Sequence, residues 1–591
     1  MHCFAVWAPS AQSVDLELTT ADGSRSVPME RSEGGWWRQP SLTPEHGWDY
    51  SYRVDGGDPT PDPRSSWLPA GVDGPSRVFD ASRHAWHDAG WRGPRQGKGT
   101  LGGVIYELHV GTFTPEGTLD AAIGRLDALV DVGVDVVELM PLAAFPGTNG
   151  WGYDGVQPYA VHEPYGGPAA LQRFVDACHL RGLGVCLDVV YNHLGPSGNY
   201  LSRFGPYFTD KHETPWGQAV NLDDEGSTVV RRWVVDNALR WFRDFHIDAL
   251  RLDAVHELKD DSPTHLLAQL ADETAALADA LGRPLALIAE SDLNDPCMIE
   301  PTAEGGFGMS AQWDDDVHHA LHATLTGERQ GYYADFGAVG VLAKTLTRAF
   351  LHDGGWSSFR GREWGRPIDP ARHDGRRFLG YLQTHDQVGN RATGERISAL
   401  LEPAQQATGA ALYLTSAFTP MIFMGEEWAA STPWRYFTDF SDAALGEAVS
   451  NGRRSEFAEH GWNAEDVPDP QDHATRDRSV LNWSERERNG HARMLNWYRD
   501  LIALRHRVPE ITDGRLDGVQ VRFDEDARWL VMARGDLRVV CNLADEPRTV
   551  PLDSDAAAAK VELAWDEAST SVSQDGVALG THGVAVLSVQ P

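Results

Sequence analysis

Between Gly103 and about Glu510, short apolar segments alternate with longer amphipathic ones. GVIYELHVGTF predicts a strand, LDAAIGRLDALVDVG the helix after it and VDVVELMPL the next strand. Strands that are apolar almost throughout need cover on both faces, which is typical of a parallel sheet packed against helices. About eight such units in roughly 400 residues favour a closed (β/α)8 barrel, a TIM barrel, with long loop insertions. An open doubly wound sheet is disfavoured because no Gly-rich phosphate loop opens a helix.

The barrel segment is flanked by two regions with a β pattern. Before it, FAVWA, SVDLEL, GWWRQ and YSYRVDG predict the strands of a small β-sandwich. After it, GVQVRF, WLVMAR and LRVVCNL predict a C-terminal β-sandwich domain. A chain of 591 residues is too long for one hydrophobic core, so we expect three domains, at 1–90, 91–510 and 511–591.

Two stretches are predicted to be irregular. Gly90–Gly103 is rich in Gly and basic residues and predicts a linker before the barrel. The segment 440–480 is rich in Asp, Glu and Pro and predicts an extended loop before the last barrel helix.

The composition excludes several classes of partner. A formal net charge of −35 argues against nucleic acid and anionic membranes, because both need clustered Lys and Arg. The five cysteines show no CxxC spacing, which favours a reducing compartment without disulfides. The opening MHCFAVWAPSAQS lacks a signal-peptide pattern, and no apolar stretch reaches the roughly 20 residues that span a bilayer. We therefore expect a cytoplasmic protein.

Polar side chains follow four of the predicted barrel strands. These segments are Asp188–His193 after the third strand, Arg251–Glu257 after the fourth, Ala289–Asp292 after the fifth and Thr384–Gln387 after the seventh. The carboxyl ends of barrel strands meet at the face that carries the active site. A single Asp there is more often a helix cap or an ion-pair partner. Four such segments in one barrel predict a catalytic site with several carboxylates.

These four segments resemble the conserved regions of the α-amylase family, glycoside hydrolase family thirteen, and FAVWAPSAQSVDLEL resembles the first module of its branching and debranching members. The resemblance implies cleavage of an α-glucosidic bond with retention of configuration. It implies that Asp253 is the nucleophile, Glu290 the general acid/base and Asp386 the stabiliser of the transition state. It implies no cofactor, and no cluster of carboxylates in the sequence predicts a structural metal ion.

Elementary chemistry supports these roles. Retaining cleavage needs one carboxylate that attacks the anomeric carbon and a second that protonates the leaving oxygen. Arg251 lies two residues before Asp253 on the same face of a strand, where its charge would keep the nucleophile ionised. Glu290 follows the apolar run LALIA, and partial burial beside another carboxylate would raise its pKa, as an acid requires.

Further residues are expected to bind the sugar. The resemblance implies that His193 and His385 donate hydrogen bonds to sugar hydroxyls and that the Tyr153 ring stacks beneath the sugar. Asp188 is expected to orient Arg251. Sugar rings also favour flat aromatic platforms, for which the candidates at predicted barrel loops are Trp151, Trp216, Trp313 and Trp428.

The residues after the nucleophile depart from the family pattern. Many α-amylases have Lys-His there, whereas this chain has His256 and Glu257. These positions normally meet the leaving group, so we expect Glu257 to help recognise that side of the substrate.

Longer segments indicate which reaction of the family applies. GYDGVQPYAVHEPYGGP, NHLGPSGNYL, FGPYFT and TPWGQAVNLD resemble members that cleave the α-1,4 bond beside the terminal trehalose of maltooligosyltrehalose and release trehalose. That resemblance also implies a functional pairing with a maltooligosyltrehalose synthase. A glycogen branching enzyme and an α-1,6 debranching hydrolase remain alternatives, although Ser291 stands where branching members usually have a second Glu. A non-enzymatic glucan-binding protein is disfavoured, because all three carboxylates are present.

Overall fold

The computed structural model describes residues 3–459, 466–552 and 559–589. Eight parallel strands, labelled β1 to β8, close into a barrel in which each strand pairs with the next and β8 pairs with β1. Their bounds are Ile105–Leu108, Val136–Leu139, Gly184–Val189, Ala249–Leu252, Ala286–Ala289, Ala311–Trp313, Phe378–Tyr381 and Thr419–Phe423. This architecture confirms the predicted (β/α)8 TIM barrel.

The interior of the barrel is layered. Side chains alternate between the two faces of a strand, so residues two positions apart point into the barrel together. In each of the first four strands an apolar residue is followed two positions later by an ionisable one: Ile105 and Glu107, Val136 and Glu138, Cys186 and Asp188, Ala249 and Arg251. The sequence therefore places a layer of ionisable side chains near the C-terminal ends of these strands, above an apolar layer.

Helices cover the outside of the barrel, as the amphipathic segments predict. The principal ones are Leu119–Ile123, Leu126–Val132, Gly167–Leu180, Ser227–Asp244, Leu266–Leu281, Asp315–Thr326, Val339–Arg348, Pro403–Leu414 and Asn489–Arg507. After β5, the 3-10 turns Pro296–Met298 and Thr302–Glu304 take the place of an α-helix. In the described part of the chain, no helix is both long and apolar enough to cross a membrane.

The N-terminal domain consists of two antiparallel sheets, as the strand pattern predicts. Their strands are Phe4–Trp7, Trp36–Gln39 and Glu30–Arg31 in one, and Gly23–Pro28, Val14–Thr20, Asp49–Val54 and Ser76–Arg77 in the other. Polar contacts join this domain to the barrel, since Trp67 Nε1 donates to Glu163 (2.8 Å) and Arg64 pairs with Asp236 (2.9 Å).

The C-terminal domain also consists of two antiparallel sheets, which confirms a second β-sandwich. Their strands are Val519–Asp524, Trp529–Arg534, Leu537–Asn542, Val584–Val589 and Ala559–Ala564 in one, and Arg548–Val550, Gly576–Leu579 and Ser571–Ser573 in the other. Apolar side chains such as Val540, Val550 and Val577 form the core between them.

Of the two stretches predicted to be irregular, only the second needs correction. The linker Gly90–Gly103 packs against the barrel, because Trp91 Nε1 donates to Asp248 Oδ1 (2.8 Å) and the Gly102 N–H donates to Thr419 Oγ1 (2.7 Å). The segment 440–480 contains the helices Ala443–Glu459 and His473–Asp477. Among its described residues the first of these helices buries few apolar side chains, so the sequence shows no amphipathic period there.

Candidate active site

The three predicted catalytic carboxylates lie at the C-terminal end of the barrel. Asp253 and Glu290 directly follow the paired strands β4 and β5, whereas Asp386 lies in the first turn of a short helix after β7. The Arg251 guanidinium contacts both Asp253 and Glu290, and His385 contacts Asp386. The structure thus brings the residues that the sequence predicts into one site.

Arg251 is the central positive charge of this site. Its side chain is 1% exposed, and Nη1 lies 2.8 Å from Asp253 Oδ1 and 3.0 Å from Asp188 Oδ2, while Nη2 lies 3.7 Å from Glu290 Oε2. The Trp313 ring covers the guanidinium at 4.4 Å. Burial raises the pKa of Asp188 to about 6, and the charge of Arg251 opposes that rise. Asp188 therefore has the orienting position predicted for it.

The Asp253 carboxylate is fixed from two directions. Arg251 contacts Oδ1, and Asn192 Nδ2 donates to Oδ2 at 2.8 Å and to the Asp253 carbonyl oxygen at 2.7 Å. The next residue, Ala254, has a φ of 37°, in the left-handed region, where the chain turns sharply out of β4. The side chain remains 12% exposed, which leaves an open side for a substrate.

Glu290 has the surroundings of a general acid. Burial raises its pKa to about 8; the charges of Asp253 and Asp386 add to the rise, and Arg251 opposes it. The Ala254 N–H donates to Glu290 Oε2 at 2.5 Å, which holds the carboxyl group beside the nucleophile segment. A carboxylic acid that keeps its proton at neutral pH can protonate a leaving oxygen.

Asp386 is the most open of the three carboxylates. Its side chain is 43% exposed, compared with 12% for Asp253 and 18% for Glu290. A capping box formed by Thr384 and Gln387 fixes the turn that carries it. Such an exposed anion can accept hydrogen bonds from sugar hydroxyls and stabilise developing positive charge.

Tyr153 and His385 form part of one hydrogen-bond network. The Tyr153 hydroxyl lies 2.7 Å from Asp188 Oδ2 and 2.8 Å from His385 Nε2. Although burial opposes a charged imidazole, the carboxylates of Glu107 and Asp386 raise the pKa of His385 to about 9. The Tyr153 ring also stacks on His385, at 5.2 Å between centroids. The predicted stacking of Tyr153 on a sugar stays a prediction.

His193 is held by its neighbours. Nε2 lies 3.0 Å from the Tyr153 carbonyl oxygen, and Nδ1 bonds to the Asn192 side chain. Its ring stacks on Trp216 at 4.1 Å between centroids with an interplanar angle of 7°. To donate to a sugar hydroxyl, His193 Nε2 would have to give up its contact with the Tyr153 carbonyl oxygen or divide its hydrogen bond between the two acceptors.

Glu257 lies on the 3-10 turn Val255–Glu257, directly after the nucleophile segment. Its side chain is 15% exposed and Oε2 lies 3.3 Å from Lys259 Nζ. The neighbouring His256 reaches towards the acid/base loop, with Nε2 3.9 Å from Asp292 Oδ1. Recognition of the leaving group by Glu257 remains a prediction.

The four tryptophans considered as platforms differ in exposure. Trp428 is fully buried against Trp483, because the segment after β8 enters the core. The prediction that Trp428 is a sugar platform is therefore wrong. Trp151 and Trp313 are also buried, at 6% and 2% exposed. Trp216 is 50% exposed and keeps a free face beside His193.

An aromatic rim that the sequence pattern does not predict lies beside the site. Tyr332 and Phe359 are 38% and 56% exposed, and their ring centroids are 6.1 Å apart. Tyr332 is near the carboxylates: burial raises the pKa of its phenol, and the charges of Asp315 and Asp386 add to that rise.

The rim is connected to the acid/base loop through a short hairpin. The strands Trp356–Ser357 and Arg362–Glu363 form this hairpin, and Arg360 between them donates to Asp292 Oδ2 at 2.9 Å. Asp292 follows Glu290 by two residues, so the hairpin is fixed relative to Glu290. Trp, Phe and Arg are frequent between Gly354 and Gly365, and this local composition is the sequence signal from which the hairpin could have been predicted.

Asp315 is a fourth carboxylate of the site. It begins the helix Asp315–Thr326 after β6, and the Tyr381 hydroxyl donates to its Oδ1 at 2.6 Å. Burial raises the pKa of Asp315 to about 6, and its own charge contributes to the raised pKa of Glu290. The sequence does not single out Asp315, because it lies between Asp314 and Asp316 and an acidic run is typical of a helix N-terminus.

One group among the described residues has the arrangement of metal ligands. His212, Asp223 and Asp261 have ligand atoms within 4.8 Å of one another. Lys211 Nζ lies 2.7 Å from Asp223 Oδ2, so an ammonium group already supplies a cation there.

Three family models match successive parts of the chain. They are "Carbohydrate-binding module 48 (Isoamylase N-terminal domain)" at residues 2–69, "Alpha amylase, catalytic domain" at 75–216 and "Domain of unknown function (DUF3459)" at 514–586.

Similar proteins extend over nearly the full length. A malto-oligosyltrehalose trehalohydrolase of Arthrobacter ramosus is 55% identical over 93% of this chain and 94% of its own. Another, of Mycobacterium tuberculosis, is 50% identical over 99% of this chain and 98% of its own. A protein of Salmonella typhimurium whose crystal structure is described as that of an alpha amylase is 34% identical to this chain. The two structures superpose with a TM-score of 0.88 over 99% of this chain and 97% of that one.

Proposed function

This chain belongs to the malto-oligosyltrehalose trehalohydrolase family of α-amylase-type glycoside hydrolases, and on that premise we propose how its residues act. The enzyme hydrolyses the α-1,4-glucosidic bond beside the terminal trehalose of maltooligosyltrehalose and releases trehalose. The observation that carries this function is 55% identity over 93% of the chain.

In the first step, Asp253 attacks the anomeric carbon and Glu290 gives its proton to the glycosidic oxygen. The bond between that carbon and oxygen breaks, trehalose leaves, and the maltooligosyl chain is esterified to Asp253. The contacts of Arg251 and Asn192 with Asp253 support this role, because they hold an ionised oxygen towards the open side. Asp386 stabilises the positive charge that develops on the sugar ring.

In the second step, Glu290 acts as a base. Its carboxylate takes a proton from water, the resulting hydroxide attacks the anomeric carbon, and the ester bond to Asp253 breaks. The products are a maltooligosaccharide, a regenerated Asp253 carboxylate and a protonated Glu290. The raised pKa of Glu290 supports both roles, because a group that titrates at about 8 can give and take a proton near neutrality.

Thin-layer chromatography with three substrates tests the function. Maltooligosyltrehalose should yield trehalose, while amylose and amylopectin should yield none. New α-1,6 branches on amylose would instead indicate a glycogen branching enzyme, and debranched amylopectin an α-1,6 hydrolase. Binding without any product would indicate a glucan-binding protein.

The remaining assignments are also proposals. The domain bounds 1–90, 91–510 and 511–591 are supported by the two groups of antiparallel strands, which end at Arg77 and resume at Val519. A cytoplasmic location is supported by the cysteines, since all five are free. A functional pairing with a maltooligosyltrehalose synthase follows from the substrate, which another enzyme must make.

A further inference from the structure

The carboxylate of Glu107 contacts the segment that carries Asp386. Glu107 lies on β1 and is 1% exposed. One of its oxygens accepts the His385 backbone N–H at 3.0 Å, and the other lies 2.5 Å from His385 Nδ1. Two contacts on one residue fix both the backbone position and the ring orientation of His385, which directly precedes Asp386.

The hydrogen bonds around His385 require a proton on each ring nitrogen. The Tyr153 hydroxyl has one proton and lies between Asp188 Oδ2 (2.7 Å) and His385 Nε2 (2.8 Å). Asp188 is an acceptor, because Arg251 Nη1 donates to both of its oxygens, at 3.1 and 3.0 Å. Tyr153 therefore donates to Asp188, and Nε2 must donate to Tyr153 while Nδ1 donates to Glu107. The ring is an imidazolium.

Several ionisable groups of the described structure face this ring. They are Glu107 from β1, His109 directly after β1, Tyr153 from the loop after β2, Asp188 from β3, Arg251 from β4 and Asp386 on the same turn. Burial and the charge of Arg251 oppose the charged ring, whereas Glu107 and Asp386 raise the pKa of His385. Glu107 differs from Asp386 in that it also bonds to Nδ1 and to the backbone.

Glu138 offers an internal comparison. It is aligned with Glu107 in the pairing of β1 with β2 and is equally buried, at 1% exposed. Among the described residues no N–H or O–H donor reaches its carboxyl oxygens, and the weak Cys186 thiol donor beside it lowers its pKa only slightly against the effect of burial. Burial and the charge of Glu107 raise the pKa of Glu138 to about 8, so it is a neutral acid at neutral pH. Two glutamates of one barrel layer thus differ in charge.

We propose that Glu107 is a positioning residue for the cleavage: its carboxylate holds His385 as an imidazolium that donates from Nε2 to Tyr153, and thereby fixes the turn that presents Asp386 to the reacting sugar. This inference rests on the proposed function of the three carboxylates. Glu107 acts through His385 and does not touch the substrate.

Three variants test this role: Glu107→Gln, Glu107→Asp and Glu138→Gln. Glu107→Gln removes the charge but keeps the shape, so kcat should fall about 100-fold while KM changes less than about threefold. In the wild type Glu290, with a pKa of about 8, sets the alkaline limb of the kcat profile, because His385 keeps its proton to higher pH. Without the charge of Glu107, His385 should lose its proton before Glu290 does, so the limb should move down by about one pH unit. Glu107→Asp keeps the charge and should restore the position of the limb. Glu138→Gln resembles the neutral acid already present and should stay within about twofold of wild type.

Two outcomes would overturn the proposal. One is a Glu107→Gln enzyme whose alkaline limb coincides with that of the wild type, since a purely structural role lowers kcat without moving the limb. The other is an equal shift in Glu138→Gln. Thermal unfolding of each variant checks folding. If Glu107→Gln does not fold, the protonation of the His385 ring is measured by NMR in the wild type at about pH 7.5, where a neutral imidazole would also overturn the proposal. If the wild type releases no trehalose, the proposed function fails, and the variants are compared on a maltooligosyl fluoride that the wild type cleaves.

Discussion

At the scale of single residues, the reaction depends on how protons are divided among closely spaced carboxylates. Arg251 contacts Asp253, Asp188 and Glu290 at 2.8, 3.0 and 3.7 Å respectively, so Glu290 is the farthest of the three from the guanidinium. Glu290 receives the weakest contact and keeps its proton. Burial raises the pKa of Glu290 to about 8, and the longer contact with the guanidinium offsets this rise only in part, so Glu290 has the proton that an acid needs.

If Glu290 is the acid, the reaction should require it only when the leaving group needs a proton. Glu290→Gln should lower trehalose release from maltooligosyltrehalose by about 10²–10⁴-fold, because no proton reaches the leaving oxygen. Fluoride needs no proton to leave, so maltotriosyl fluoride should still react with Asp253. Since the base of the second step is also missing, the ester should accumulate and be visible by mass spectrometry as a maltotriosyl adduct. Glu363→Gln, an exposed change on the hairpin, serves as the control. Fluoride release as slow as trehalose release would argue against Glu290 as the acid.

The charge of Asp315 should affect how kcat/KM depends on pH, because it helps to raise the pKa of Glu290. Activity is lost as Glu290 loses its proton, so the alkaline limb of kcat/KM should lie near its pKa of about 8. Asp315→Asn removes a charge that helps to raise this pKa, and the limb should move to lower pH. Asp526→Asn, in an exposed turn of the C-terminal domain, should leave the limb in place. An unmoved limb in Asp315→Asn would show that the charge of Asp315 does not act on Glu290.

The grouping of Asp253, Glu290 and Asp386 in one site could be predicted from sequence because each comes at or shortly after the end of a buried strand. Glu107, Asn192 and Asp315 could not, because their roles depend on contacts between distant segments. Glu107 and His385, for example, are 278 positions apart. A glutamate within an apolar strand gives no sign of its partner until the barrel closes.

At the scale of elements, the long connections after β5 and β6 shape the rim of the site. The hairpin of Trp356–Ser357 and Arg362–Glu363 is fixed to the acid/base loop by Arg360 and by Trp364 Nε1, which donates to the Asp292 carbonyl oxygen at 2.7 Å. These contacts hold Phe359 and Tyr332 as exposed rings beside the carboxylates. Exposed rings that are held rigidly can stack on sugar faces without large loss of side-chain entropy.

Loss of one ring of the rim should weaken binding more than catalysis. Phe359→Ala should raise KM for maltooligosyltrehalose about 2- to 10-fold, the range expected for one aromatic contact, with kcat within about twofold. Phe523→Ala removes a similarly exposed ring (42%) from the C-terminal domain and is the matched control. Equal KM values for the two variants would exclude Phe359 from substrate binding.

The elements that sequence predicts best are those with a clear hydrophobic period. Seven barrel strands carry long apolar runs, whereas β6 has three residues, AQW, and is not recognised by its pattern. Helix Ala443–Glu459 escapes prediction for a related reason, because an acidic and polar helix that buries little resembles a loop.

At the scale of the whole molecule, the C-terminal domain is bonded to the barrel through buried polar groups. Arg534 is 4% exposed, and its Nη1 donates to the carbonyl oxygens of Thr415 and Ile511, both at 3.1 Å. Thr415 follows the helix Pro403–Leu414, so this one side chain satisfies the end of a barrel helix from the other domain. Thr415 lies in the connection from this helix to β8, at the N-terminal end of the barrel strands. Asp253, Glu290 and Asp386 lie at the opposite, C-terminal end.

Removing this contact should therefore destabilise the molecule without changing its chemistry. Arg534→Met leaves buried carbonyl oxygens without donors and should lower the free energy of unfolding by about 2–4 kcal/mol. The kcat of the folded enzyme should stay within about twofold of wild type at 25 °C. Arg515→Met, in the connecting segment, removes an arginine whose side chain is 74% exposed, and should change the free energy of unfolding much less than Arg534→Met does. Urea unfolding and trehalose release, measured on the same preparations, separate the two effects. A large fall in kcat with unchanged stability would mean instead that the domain contact acts on the active site.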